Sequence, residues 1–400
     1  MPVDQQASEQ TPPPSARFRI LLVSRYFPSK AHAGGLRILD IYALIRDRLP
    51  DVQLDLYSYH RPEIDWSTDE AYRIFDNVYL SPRPRLTPDT FATLCKTADR
   101  YDVVDIQYHQ FGQYLRGFRR LGKKLIFTPM ESKALSLANG MRTVFRTGGT
   151  LSLRKIVENL YCAFQEVSYC RKADEVVCVS EADASYLRTI SGSNKIRVLE
   201  TGLSSFEFSA PLSAAATAGA AGPKGMNIVY VASFGSDTNV AALRWYLDSV
   251  HPLVKAVVPD YVLLVVGRGD LSPFAGYRDS SVRFVGEVAS LAPSIGQARL
   301  GIAPALGGAG FRGKVNQYAI LGLPCVASPI AVQGLAYEDR ANIFVAAAPD
   351  LFARRCVQLL TDPALNARMG AAARELSLER YTWSSKWETI RQIYDLRAVA

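Results

Sequence analysis

No Cys-x-x-Cys pairing occurs among the six cysteines, and most of them sit inside apolar segments such as EVVCVS and LPCVAS. Metal and disulfide frameworks are therefore not expected, and Cys95, Cys162, Cys170, Cys178, Cys325 and Cys356 are read as buried thiols. Uninterrupted apolar runs are also missing. No stretch approaches the roughly 18 to 20 residues that span a bilayer, and the first residues, MPVDQQASEQTPPPSAR, hold no basic region followed by an apolar one. The expectation is a cytoplasmic protein. Helix-turn-helix, zinc-finger and RNP signatures are absent too, which argues against nucleic acid as partner.

A chain of 400 residues with 48% hydrophobic, 10% aromatic and 21% charged residues can bury an ordinary globular core. That length exceeds the size at which one core keeps growing, so two domains are expected. The net charge of +8 points to an anionic partner: phosphorylated substrates, an acidic membrane surface or nucleic acid. The densest basic run is RGFRRLGKK, with Arg116, Arg119, Arg120, Lys123 and Lys124, and it continues in Arg142, Arg146, Arg154 and Lys155. Interleaved with Phe and Leu, it reads either as a face for a membrane surface or as a solvated helix face.

Residues 1–16, rich in Gln, Ser and Pro, are expected to be disordered. FRILLVSRYF then reads as a buried parallel strand, followed by a loop with Gly34 and Gly35, a helix through LRILDIYALIRDRL and the strand VQLDLYSYH. NVYL, YDVVDIQYH, KLIFTPM, EVVCVS and IRVLET continue the strand series, with a long helix from about Ser152 to Lys172 among the intervening helices. At 209–225 the apolar period disappears into SAPLSAAATAGAAGPKG, read as a linker. A second series follows in NIVYVASF, YVLLVVG, VRFVG, LGIAPA, PCVAS and FVAA, with the helix AALRWYLDSVHPLVKAV after its first member. The fold class is α/β, with two Rossmann-like doubly wound parallel sheets over 17–208 and 226–384. Ligands of such sheets bind beyond the strands' carboxyl ends, and the site is expected in a cleft between the two domains.

The segment IAPALGGAGFRGKVNQYAILGLPCVASPIAVQGL (302–335) carries most chemistry. Gly308 and Gly310 let backbone approach an anion, the following helix supplies unpaired amides, and Arg312 and Lys314 add charge, so these residues read as diphosphate ligands or as a solvated basic turn. In order and spacing the C-terminal half resembles the retaining glycosyltransferases of family 4, the glycosyl transferases group 1. NIVYVASFGSDTNVAALRWY, LLVVGRGD, VRFVGEV and YTWSSKWETIRQIYD carry the resemblance over about 160 residues, and RYFPSKAHAGGLR, ADEVVCVSEADASYL and IRVLETGLSS extend it more loosely.

The resemblance implies the GT-B fold, a last helix (about 385–400) returning to the first domain, and a nucleotide-diphosphate sugar as substrate with no other cofactor. By register the family's two donor-site glutamates fall at Ala309 and Gln317. An amide oxygen at Gln317 still accepts from ribose hydroxyls, without charge assistance. Phe311, Asp237, Asn239, Gly267, Arg268, Gln333, Gly334 and Leu335 match donor-side positions; Ser233 adjoins them, with Ala232 where the family has glycine. Relatives often place a histidine after the strand that KLIFTPMES matches, and Met130 and Glu131 stand there instead.

From the first half, His109 and Glu131 are the polar candidates for the catalytic centre, though His109 also reads as a strand-end residue and Glu131 as a helix N-terminal charge. Gly34 and Gly35 either admit acceptor or phosphate closely or form a plain turn. With no DxD-like cluster placed for a divalent ion, metal-independent sugar transfer to a glycan or lipid-linked acceptor in polysaccharide or glycoconjugate synthesis is expected, peripherally at a membrane through the basic face. The alternatives are another GT-B activity such as a nucleotide-sugar epimerase, and a catalytically silent nucleotide- or sugar-binding subunit.

Overall fold

The structure is a computed structural model that describes residues 17–30, 33–59, 69–81, 83, 92, 101–146, 152–204, 206, 208, 225–277, 280–288, 290–307 and 313–396. Two compact units are present, Met1–Val198 with Ile390–Ala400, and Leu199–Thr389.

The first unit holds strands β1 (Arg19–Ser24), β2 (Gln53–Tyr59), β3 (Asn77–Ser81), β4 (Tyr101–Gln107), β5 (Gly122–Thr128), β6 (Glu175–Cys178) and β7 (Ile196–Val198). They form a parallel sheet in the order β3-β2-β1-β4-β5-β6-β7. Because the strands are nearly continuous in apolar residues, both sheet faces are covered by helices, among them Ala33–Arg48, Lys133–Arg146, Leu153–Lys172 and Glu181–Ser191. The chain moves outward from β1 to β3 on one side and restarts at β4 on the other. The β1/β4 boundary is therefore a topological switch point, where strand ends leave a crevice.

The second unit repeats the plan with β8 (Asn227–Val231), β9 (Val262–Val266), β10 (Val282–Gly286), β11 (Leu300–Ala303), β12 (Cys325–Ala327) and β13 (Phe344–Val345), in the order β10-β9-β8-β11-β12-β13. Alternate strand residues feed opposite layers. Ile228, Tyr230, Leu263 and Ile302 join a core with Tyr246, Val254, Phe352 and Leu359, while Val229, Val231, Leu264 and Ala303 join one with Val315, Tyr318 and Tyr381. Its switch point lies between β8 and β11.

Two expectations are adjusted. Leu199 to Phe208 go with the second unit, since Leu203 N donates to Tyr381 O at 2.7 Å and both Leu203 and Phe208 lie in its core. The single helix expected over AALRWYLDSVHPLVKAV is instead Asp237–Trp245, a π turn Tyr246–Val250 and His251–Val257. Pro252 explains it, because its ring crowds the carbonyl four residues back and it offers no N–H. Part of the basic run makes ion pairs inside the first unit: Arg119 pairs with Asp174, Lys123 with Asp102 at 2.7 Å and Lys124 with Asp395 at 2.9 Å. These pairs staple β5 to its surroundings, while Arg116 and Arg120 are exposed.

Tyr394 is held by a buried polar cluster. The Asp105 carboxylate accepts from Tyr394 Oη at 2.6 Å, Gln107 Nε2 at 2.7 Å and Tyr42 Oη at 2.9 Å. Burial raises the Asp105 pKa against the pull of those donors and of Arg37, and burial lowers Arg37 to about 10. Cys162, Cys170, Cys178, Cys325 and Cys356 are buried free thiols; Cys95, residues 1–16 and most of the 209–225 linker lie outside the described residues.

Candidate active site

In the second unit, the loops leaving β8 and β9 are laced together through backbone. Ala232 N donates to Val266 O at 3.0 Å, Phe234 N to Arg268 O at 2.8 Å and Gly267 N to Gly286 O at 2.7 Å. Gly267 has φ +140°, and a Cβ there would lie 1.7 Å from Ala232 O. The requirement at Gly267 is thus close approach of two backbones, and Arg268 is carried exposed on the joined rim.

At the switch point β8 and β11 pair only through Leu300↔Ile228 and Gly301↔Val229. Where they separate, the buried Tyr318 hydroxyl accepts from Val231 N at 2.9 Å and donates to Ile302 O at 3.3 Å. Gly301 makes room, since a Cβ there would be 2.4 Å from the Tyr318 ring. Tyr318 belongs to the helix Gly313–Ile320, so it fixes that helix with its N-terminus at the carboxyl edge of the sheet. There the amides and partial positive charge of the first turn are presented.

Lys314 stands in that turn. Its Nζ donates to Asn239 Oδ1 at 2.5 Å and lies 4.9 Å from the centroid of the Tyr230 ring. Asn239 is held in turn, its Nδ2 donating to Ser233 O at 2.9 Å while its carbonyl accepts from Tyr230 Oη at 3.2 Å. Burial pushes the Tyr230 phenol up, so it stays neutral below the ammonium. The structure therefore brings Lys314, Asn239 and Ser233 to one spot across the β8/β11 boundary.

Gln317, three residues on, shares the Lys314 side of the helix and is half-buried. Asp237 is exposed in the first turn of Asp237–Trp245, where its charge favours the helix rather than an anion. The β12 turn is tied in through Ser328, whose Oγ donates to Ala305 O at 2.6 Å. Beyond it Gln333 and Gly334 are exposed, Gly334 with φ +81°, and Leu335 packs against the core. Gly308, Ala309, Gly310, Phe311 and Arg312 lie outside the described residues.

The first unit has a cavity of about 690 Å³ at its own switch point, beyond the ends of β1, β4 and β5, lined among others by Tyr26, Gly34, Tyr108, His109, Met130, Glu131 and Cys162. His109, Glu131 and Gly34 are thus brought together, while Gly35 is buried in the helix behind. A Cβ at Gly34 would be 2.5 Å from Tyr108 Oη, so glycine is needed for close approach. Tyr108 (φ +74°) and Met130 (φ +69°) both adopt the left-handed region, which turns the β4 and β5 ends into the cavity wall.

The group that organises this wall is Glu166. Buried on the helix Leu153–Lys172, it accepts from Lys133 N at 2.7 Å and Ser132 Oγ at 2.9 Å, capping the helix Lys133–Arg146. His109 Nδ1 lies 3.4 Å from Glu166 Oε1, within ion-pair range but outside hydrogen-bond geometry. Sequence reading missed Glu166, although it shares one helix face with Cys162, Tyr169 and Cys170, and an acid on an otherwise apolar stripe was the signal. Tyr108, Tyr230 and Tyr318 carried no such signal. Among the described residues no three His, Cys, Asp or Glu side chains are grouped as metal ligands would be.

Two parallel doubly wound sheets, with polar groups gathered at both switch points, define the class as GT-B. Residues 225–362 match the profile of the family described as glycosyl transferases group 1. Over these residues the second unit is similar to that family, and the chain has the GT-B fold. Comparison with curated proteins by sequence gave no match. Among solved structures, sucrose-phosphate synthase from Thermosynechococcus elongatus is similar at TM-score 0.64 and 16% identity, covering 96% of this chain and 100% of that one. HepE of Anabaena, solved in complex with UDP and glucose, is similar at TM-score 0.57 and 15% identity over 95% and 98%. S. aureus TarM, solved as a mutant with fondaparinux, α-GlcNAc-glycerol and UDP, reaches TM-score 0.60 at 9% identity over 94% and 100%. At such identities the likeness establishes the fold.

Proposed function

We propose that the chain is a retaining, metal-independent glycosyltransferase that binds the diphosphate of a nucleotide-diphosphate sugar beside Lys314 and moves the sugar to a glycan or lipid-linked acceptor. The observation that carries this reading is the Lys314–Asn239 pair at the β8/β11 switch point, inside the segment that matches the family. A departing diphosphate needs preorganised positive charge, and an ammonium fixed by an amide oxygen at a helix N-terminus supplies it without reorganisation. Arg312, next to the helix start, adds a second cation in this reading. Gln317 accepts from the donor ribose, and Gly267, Arg268 and the Gln333–Leu335 turn border the nucleotide.

The first-unit cavity takes the acceptor. Glu131 and His109 face it there, and Gly34 admits it closely; with reacting groups held in place, little covalent help from the protein is required. UDP-glucose is the first donor to test, since HepE was solved with UDP and glucose. Calorimetric titration of the purified chain with UDP, GDP, ADP, TDP and their sugars, with and without chelator, tests the reading. Chelator-insensitive binding that Lys314→Ala abolishes, with retention of anomeric configuration in the product by NMR, is the expected result. Absence of binding to every nucleotide overturns it. A second reading, a silent nucleotide-binding subunit, is favoured by Gln317 standing where the family has glutamate; it predicts binding with no transfer and no slow donor hydrolysis.

A further inference from the structure

On a surface helix the outward face is ordinarily polar. The helix Leu153–Lys172 reverses this. Its inner side carries the buried Cys162, Glu166, Tyr169 and Cys170, whereas its outer side exposes Leu153 by 74%, Val157 by 57%, Leu160 by 65% and Phe164 by 73%, flanked by Tyr161 and Ile156. The spacing of Leu153, Val157, Leu160 and Phe164 places them on one line over three turns. A continuous exposed apolar stripe of this kind marks an interaction surface.

The charge around it says what covers it. From Ser132 to Val157 the sequence has Lys133, Arg142, Arg146, Arg154 and Lys155 and no Asp or Glu. Arg154 and Lys155 are exposed beside the start of the stripe, and Arg171 continues its line two turns past Phe164. Glu158 is the one exposed acid on the helix. A second copy of the chain would bring the same bases together, which repel, so self-association is disfavoured. No described helix is long and apolar enough to cross a membrane.

We propose that this face docks on an anionic lipid bilayer, with Leu153, Val157, Leu160 and Phe164 seated at the boundary of headgroups and acyl chains and the bases on the lipid phosphates. The surface lies apart in sequence from Arg119, Lys123 and Lys124, which make ion pairs inside the first unit, and the proposal stands whatever the donor proves to be.

Flotation of the full chain with vesicles of phosphatidylcholine alone, and of phosphatidylcholine with phosphatidylglycerol, tests it. The wild type is expected to float with the anionic vesicles and not the neutral ones, and raised salt should weaken flotation. Leu160→Glu and Phe164→Glu should each weaken partitioning about tenfold or more, and Arg154→Glu about fivefold or more. Thermal transitions should be unchanged, because these side chains are exposed. A Phe164→Trp reporter should shift its fluorescence to the blue on anionic vesicles. Failure of the wild type to float, equal flotation of wild type and Leu160→Glu, or a dimer in sedimentation velocity that Phe164→Glu dissolves would each overturn the assignment.

Discussion

Replacing Lys314 by Met keeps the length of the side chain and removes only its charge. In the free protein Nζ is 2.5 Å from Asn239 Oδ1 and sits over the Tyr230 ring, and this partly exposed arrangement contributes little to stability. Against a diphosphate the balance differs. Coulomb attraction of one unit charge at about 4 Å and an effective dielectric of about 20 is roughly 4 kcal/mol before desolvation. A charge-assisted hydrogen bond is worth about 1.5–3 kcal/mol net. The net figure decides, because the ammonium must give up water to reach phosphate. Weakening of UDP binding by about 10- to 150-fold is therefore expected for Lys314→Met, read by calorimetry at constant salt. Asn239→Ala leaves the charge but frees it, so its effect should be milder, about threefold. The double variant should bind no worse than Lys314→Met, since the two groups act as one unit. Lys314→Met binding as tightly as wild type, or strictly additive effects, would refute the assignment of this pair to the diphosphate.

Gly34→Ala should disturb acceptor-dependent turnover while leaving nucleotide binding intact, because its Cβ meets Tyr108 Oη at 2.5 Å. Tyr108→Phe removes that buried oxygen, which has no hydrogen-bond partner among the described residues, and should restore turnover in the double variant; no rescue would count against the contact. Gly267→Ala should destabilise the second unit by more than about 3 kcal/mol, since its φ of +140° and a 1.7 Å approach to Ala232 O leave no room; a near-native denaturation midpoint would contradict this. For Asp105, burial raises the folded pKa above its unfolded value. Its contribution is therefore full below the unfolded carboxylate pKa, about 3.9, and is lost as pH rises through the folded pKa. Denaturation over a pH series should show wild type losing stability relative to Asp105→Asn as pH rises from that value, and a pH-independent difference would rule out the cause.

The fold was legible because parallel strands buried on both faces are written as short apolar runs. Each of the thirteen runs named from sequence, from FRILLVSRYF to FVAA, overlaps one observed strand. What stayed hidden depended on single atoms. The π turn at Tyr246–Val250 follows from one missing N–H at Pro252. Leu199 to Phe208 go with the second unit through one bond from Leu203 to Tyr381 and a few core side chains. Neither leaves a trace in hydrophobic period, which reports burial and not the identity of the partner.

The site was legible only where a residue type is rare for its position. A lysine at the mouth of a glycine-rich loop and an asparagine after the first strand of the second series were both readable, and they meet at 2.5 Å. Their meeting could not be read, because it depends on Tyr318 bridging separated strands through Val231 N and Ile302 O, and Tyr318 looks like any other core aromatic. The same holds in the first unit. His109 was visible as a polar residue at a strand end, yet the carboxylate beside it is Glu166, 57 positions away in numbering and buried at 1% exposure. A carboxylate so enclosed is stable only with donors arranged around it, and here two backbone amides and Ser132 supply them. Glu166→Gln should therefore loosen the start of the helix Lys133–Arg146 and the His109 ring together. Faster hydrogen exchange at Lys133 and Ala134 is the expected sign, and unchanged exchange there would mean that the cap is not what holds the cavity wall.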